Sequence, residues 1–235
     1  MTGLPASARV LTVSYLAGHH VGFTLRAALN SALTDGRLLP LAPEDDEEIN
    51  ERVAALHTKR AYLPVLVRRV RRGWEPVRDA ALARDPADDE YGLDIGRGVG
   101  WGFVADLESL LTALHSTLDV VVGLAIVVER RVLKVPSASQ TPDAQLRALP
   151  GISAAEQKLF LRVRGGFMHN YSAWLAVVID GGGGDLAILT HGKRDYDTGE
   201  GYVLLSRIDA VLAALLHHVD ALEASLAERV NQLGR

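Results

Sequence analysis

Two arginines and a histidine crowd into the stretch Phe160-Leu-Arg-Val-Arg-Gly-Gly-Phe-Met-His-Asn-Tyr171, and their types suit the metal-free cleavage of a phosphodiester. Imidazole titrates near neutrality, so His169 could take the proton from a ribose 2′-hydroxyl or return one to the leaving oxygen. A guanidinium matches the non-bridging oxygens of a phosphorane-like transition state with two parallel hydrogen bonds, a role open to Arg162 and to Arg164. On an unbroken helix Arg162 and His169 share a face, while Arg164 and His169 do not. A break at Gly165-Gly166 would swing Arg164 toward the imidazole instead, so either arginine could partner it. Asn170 and Tyr171, adjacent to His169, are candidates for binding phosphate or base.

Three other groupings compete for attention. Arg68-Arg69-Val70-Arg71-Arg72 followed by Trp74 is the one dense basic cluster. It could grip phosphates and stack a base, but charge runs are more often solvated helix faces, here one that would pair with the acidic run at residues 44–48. His115 and Asp119 lie one helical turn apart, and His19, His57, His217 and His218 also fall on expected helices. No HxxxH, HExxH or Glu-x-x-His pair occurs, so a metal-dependent hydrolase is the weakest reading and no metal or cofactor is expected. Gly96, Gly98, Gly100 and Gly102 alternate without a dinucleotide-binding pattern, and no Walker-type lysine motif exists.

Helices must carry these groups. Apolar residues at three- and four-residue steps predict a helix over residues 7–33, closed by Asp35-Gly36. Pro43 followed by five carboxylates opens a second helix, expected to bend at Pro64 and fade near Gly73-Trp74-Glu75-Pro76, with a shorter one following to Ala83. Residues 85–100 read as a loop. The strongest stripe, Phe103, Leu107, Leu110, Leu114, Leu118, Val121, Ala125 and Val128, predicts a long helix ending at Arg130-Arg131. A polar loop is expected over 136–150. Ser153-Ala-Ala-Glu156 is a capping box that starts the helix bearing Arg162, and the pattern at Tyr171, Trp174, Leu175 and Val178 resumes a helical face. Residues 186–190 and 202–205 read as a hairpin, before a last helix over 208–233. The fold expected is mainly α, a helical bundle with a small β-hairpin inserted before the C-terminal helix. Residues 1–95 form an N-terminal helical segment packing on or extending a core of residues 96–235.

Composition narrows the setting. A chain of 235 residues with 48% hydrophobic and 23% charged residues suits a sizeable core. A net charge of −4 leaves no overall pull toward polyanions, so any such partner needs a local patch. The absence of cysteine excludes disulfides and thiolate chemistry. The most apolar run, residues 120–128, is too short to span a bilayer and the N-terminus does not read as a signal peptide. The expectation is a soluble, cytoplasmic protein without membrane attachment.

With its helical context, the Arg–His spacing resembles the signature of the HEPN superfamily, helical bundles carrying arginine, four to six residues, then histidine. The resemblance covers roughly residues 100–233. It implies a homodimer whose two motifs line one cleft, and a metal-independent endoribonuclease acting on RNA, of the kind found in toxins and anti-phage defence, with an antitoxin or defence protein as partner. The family's polar residue after the arginine is replaced here by Val163 or Gly165. That departure favours the alternative, a catalytically silent HEPN-like module for nucleotide or RNA binding or for dimerisation.

Overall fold

The computed structural model describes residues 24–85, 99–137, 141–162, 175–180, 183–189 and 201–234. Helix α1, Thr24–Thr34, ends at Gly36, whose φ of +69° is the left-handed conformation that glycine adopts cheaply. The earlier part of the expected first helix lies outside the described residues. Helix α2, Pro43–Leu82, starts as its sequence demands, with proline in the first turn and Glu44, Asp45 and Asp46 over the positive end of the dipole.

Contrary to expectation, α2 neither stops near Gly73 nor gives way to a shorter helix. It runs unbroken for 40 residues, about 60 Å at the usual rise, through both Pro64 and Pro76. A proline inside a helix costs roughly 3 kcal/mol, and burial on either side offsets it. Leu63 and Val67 flank the first proline, Trp74 and Val77 the second, and all four are in the core. Trp74 also packs on Phe103, ring centroids 6.2 Å apart.

Helix α3, Val99–Val127, begins within what the sequence suggested was loop; residues 86–98 lie outside the described set. Its stripe from Phe103 through Leu107, Leu110, Leu114 and Leu118 to Val128 is almost completely buried. The cross-helix pairs Arg69–Asp106, Lys59–Ser116 and Arg131–Asp45 advance along α3 as they retreat along α2, so the two helices are antiparallel. Helix α3 closes in a π-helical turn, Val128–Val132, and Arg130 and Arg131 reach Ser137 and Asp45 with their side chains.

The polar stretch expected as loop contains a short helix, α4, Pro142–Ala148, capped by the Thr141 hydroxyl accepting from the Ala144 amide. Helix α5, Ala154–Arg162, follows. Residues 175–178 do not resume a helix. Leu175–Asp180 is strand β1, a run rich in β-branched residues that pairs with β2, Gly183–Leu189, in antiparallel register from Leu175 opposite Ile188 to Asp180 opposite Gly183. The period of three to four that suggested a helix was accidental. Strand β3, Tyr202–Leu204, pairs with the other edge of β2 as the expected hairpin requires, making a three-stranded sheet. A 3₁₀ turn, Leu205–Arg207, leads into α6, Ile208–Asn231. The fold is mainly α, with this small sheet inserted before the C-terminal helix.

One core joins α1, α2, α3, the sheet and α6. Two stretches, Gly100–Val132 and Leu205–Asn231, are long and apolar enough to cross a bilayer, with 67% and 39% of their most apolar windows buried inside the fold.

Candidate functional site

The element that would present the Arg–His motif is well defined at its start. The amide of Ser153 donates to Glu156 Oε2 at 2.6 Å, and the amide of Glu156 donates to Ser153 Oγ at 3.2 Å, the reciprocal pair that the sequence predicts. Glu156 is buried, and its other oxygen accepts from Arg207 Nε at 3.2 Å, while Arg207 Nη2 donates to the Gly151 carbonyl. The start of α5 is thus tied to the turn before α6. At its far end α5 reaches Arg162. The Arg162 side chain and all of Arg164, His169, Asn170 and Tyr171 lie outside the described residues, as does the glycine pair between them.

The basic cluster is a structural feature of α2. Arg69 pairs with Asp106 of α3 at 2.6 Å, and Arg71 pairs with Asp209 of α6. Neither meets the acidic run at 44–48. At 1.5 Å per residue that run lies more than about 30 Å away along the same helix, and its carboxylates Asp45, Asp46 and Glu48 pair instead with Arg131, Arg26 and Arg52. Trp74, the indole that would have stacked on a base, is buried against Phe103.

The described histidines scatter. His57, on α2, is buried beside Arg60, Asp220 and Glu223, and burial holds its pKa below the ordinary imidazole value against the opposing pull of Glu223. Arg60 binds Asp220 at 2.7 Å and approaches Glu223 at 3.6 Å, and the Leu25 amide at the start of α1 donates to Glu223 at 3.5 Å. This polar knot joins α1, α2 and α6. His218 meets Gln145 of α4 at 2.5 Å, and burial, reinforced by His217, lowers its pKa too. His115 Nδ1 lies 3.3 Å from Asp119, within α3 as its spacing predicts. Among the described residues, no three His, Asp or Glu side chains come together in a way that could hold a metal ion.

A second constellation, absent from the sequence reading, lies between α2 and α3. Lys59 Nζ donates to Ser116 Oγ at 2.5 Å and sits 5.9 Å from the centre of the Tyr62 ring. Tyr62 and Ser116 line a cleft of about 570 Å³ with Leu66, Glu108, Ser109 and Thr112. Burial lowers the Lys59 pKa from the usual ammonium value, with Asp119 opposing, and burial raises that of the Tyr62 phenol. The one sequence signal was scarcity: Lys59 is among only four lysines in the chain, and it falls three residues before a tyrosine on a helix. Comparison of the chain with protein-family models, with curated proteins and with solved structures gives no match.

Proposed function

We propose that the chain is a HEPN-like, metal-independent endoribonuclease that works as a homodimer in the cytoplasm. His169 is the proton-transfer group, Arg164 or Arg162 is the ligand of the phosphate and its transition state, and Asn170 and Tyr171 contact the substrate. In this reaction the ribose 2′-oxygen bonds to phosphorus as it gives up its proton. The bond to the 5′-oxygen breaks, and that oxygen takes a proton. The products are a 2′,3′-cyclic phosphate and a 5′-hydroxyl end, and imidazole can serve either transfer.

The observation that carries the reading is the order of parts around Arg162. A long buried helix, α3, is followed by the capped helix α5, described as far as the first motif arginine, and then, past the sheet, by α6. That order supports a HEPN-like bundle. The rival RNA-binding patch is weakened by the ion pairs of Arg69 and Arg71 and the burial of Trp74. A soluble location is supported by the charged contacts on the two most apolar helices, Asp106 to Arg69 and Asp209 to Arg71, which would be costly in lipid. A role as a toxin or in anti-phage defence, with a neutralising or defence partner, belongs to the same reading.

The test is incubation of the purified chain with mixed RNA in excess chelator, beside His169→Ala and Arg164→Ala variants. The reading expects cyclic-phosphate ends from the native chain and a loss of about 10²- to 10⁴-fold in the histidine variant. Equal cleavage by both would sink it, and a strict monomer in solution would remove the shared cleft. A second reading, a silent RNA- or nucleotide-binding or dimerisation module, is favoured by Val163 and Gly165 standing where a polar residue is expected. Binding of RNA without cleavage by the native chain would select it, and cleavage only on addition of a divalent metal would point to a hydrolase of another kind.

A further inference from the structure

We infer that the outer edge of β1 is a self-association surface, at which a second copy of this chain adds its own β1 in antiparallel pairing and joins the two three-stranded sheets into one. Among the described residues β2 lies on one side of β1 and no strand lies on the other. An edge strand presents a row of main-chain N–H and C=O groups that another strand can pair. Proteins usually blunt such edges with lysine, proline or brevity. The opposite edge of this sheet is blunt: β3 has three residues, and its central Val203 is buried. Strand β1 has six, Leu-Ala-Val-Val-Ile-Asp, with no basic residue and no proline. Leu175 and Val177 pack toward the core, but Val178 is 37% exposed and Ile179 is 57% exposed. Leu82 of α2, exposed as well, lies beside Gly184, the residue paired with Ile179, and widens the apolar patch.

The edge fits its own copy. Antiparallel edge-to-edge pairing of two identical strands needs a twofold axis normal to the sheet, which keeps each side chain on its own face. Side chains opposite one another share a face, so the positions of a facing pair must be both even or both odd. The axis therefore passes through a residue that meets itself, Val177 or Val178. With Val177 on the axis, Leu175 faces Ile179 and Ala176 faces Val178. With Val178 on the axis, Val177 faces Ile179 and Ala176 faces Asp180. In both registers aliphatic side chains meet across the axis, and the exposed Ile179 gains an apolar neighbour. Asp180, the one charge of the strand, never faces its own copy, so no like charges are opposed. The same carboxylate beside an apolar edge disfavours RNA there. The inference deepens the proposed homodimer, resting on that reading only for the expectation that two copies meet, and it uses none of the ribonuclease chemistry.

Sedimentation of the full chain is followed up to about 100 μM, and hydrogen exchange of the peptide spanning residues 175–180 is compared at low and high concentration. A reversible dimer is expected, with slower exchange of that peptide as it forms. Val178→Lys changes an exposed position that the symmetry places twice in the interface. It is expected to weaken association at least about tenfold while leaving the far-UV circular dichroism unchanged. The chain has no cysteine, so a single introduced one reports on its own position. Val178→Cys should be joined to its copy by a short bismaleimide, and Trp101→Cys, exposed on α3, should not. A dimer that persists unweakened in Val178→Lys, or equal cross-linking of both cysteine variants, would overturn this surface and leave the homodimer standing. A native chain that is monomeric at about 100 μM would overturn both. A native dimer whose 175–180 peptide exchanges as fast as in the monomer would overturn the edge without any variant having to fold.

Discussion

The ion pair between Glu129 and Arg229 offers the sharpest check on how the last helix is docked. Glu129 sits in the π-helical turn that ends α3 and is 4% exposed, and its Oε1 accepts from Arg229 Nη1 at 2.6 Å across a separation of one hundred residues. Its other oxygen, Oε2, is buried without a hydrogen-bond donor among the described residues. The carboxylate therefore depends on one guanidinium. Unit charges about 4 Å apart attract by roughly 4 kcal/mol at an effective dielectric constant of 20. Removing one partner of a fully buried pair costs about 3–5 kcal/mol. The Arg229 side chain is 38% exposed, so solvent screens the pair and the cost falls at or below the bottom of that range. Arg229→Ala is expected to lose about 2–3 kcal/mol, or roughly 5–10 °C in Tm for a chain of this size. Glu129→Met with Arg229→Met removes the buried charge and its partner together, and should recover most of that loss. Urea unfolding of the two variants beside the native chain measures both quantities. An Arg229→Ala chain within about 0.5 kcal/mol of native stability, or a double variant as weak as the single, would refute this docking of α6 on α3.

Three further outcomes follow from the same packing. Ser153→Ala removes one half of the capping box at the start of α5 and should cost about 1 kcal/mol in chemical unfolding. Gly123→Ala would put a methyl group 1.9 Å from Arg52 Nη1, the movable end of a side chain whose pair with Glu48 is worth only about 0.3–0.5 kcal/mol. The gain from replacing glycine inside a helix is nearer 1 kcal/mol, so a small rise in Tm is expected. For His57 and His218 the folded pKa lies below the unfolded value of about 6.5. Stability is complete above that value and is lost as pH falls below it, because the unfolded chain binds protons first. A His57→Gln, His218→Gln variant should therefore lose less Tm than the native chain between pH 7.5 and 5.5.

Local signals in this chain read well where one interaction dominates over a few residues. The start of α2 at Pro43, the box at Ser153 and the stripe of α3 are each decided within a turn or two of helix. The continuity of α2 is not of that kind. Pro64, Gly73 and Pro76 all oppose helix locally, and what holds the helix is the row Leu63, Val67, Val70, Trp74 and Val77 packed into a core that only the fold creates. At Leu175–Asp180 the apolar spacing fits two periods, and the choice of strand comes from its partner β2, which no window on the strand itself contains.

The two candidate sites differ in legibility for the same reason. Arg162, Arg164 and His169 stand within eight residues, so a chemist reading along the chain meets them together. Lys59 and Ser116 are 57 residues apart, and each alone is an ordinary polar residue on a helix flank. They meet because α2 and α3 run antiparallel in a register that also brings Arg69 to Asp106 and Asp45 to Arg131. That register is set by the apolar stripes behind them. Slipping α3 by one turn would carry Ser116 about 5.4 Å along the axis and separate it from the amine, while leaving both helices equally well predicted. The Lys59–Ser116 contact is thus a property of helix packing, decided by the apolar stripes of α2 and α3 and not by the sequence neighbours of either residue.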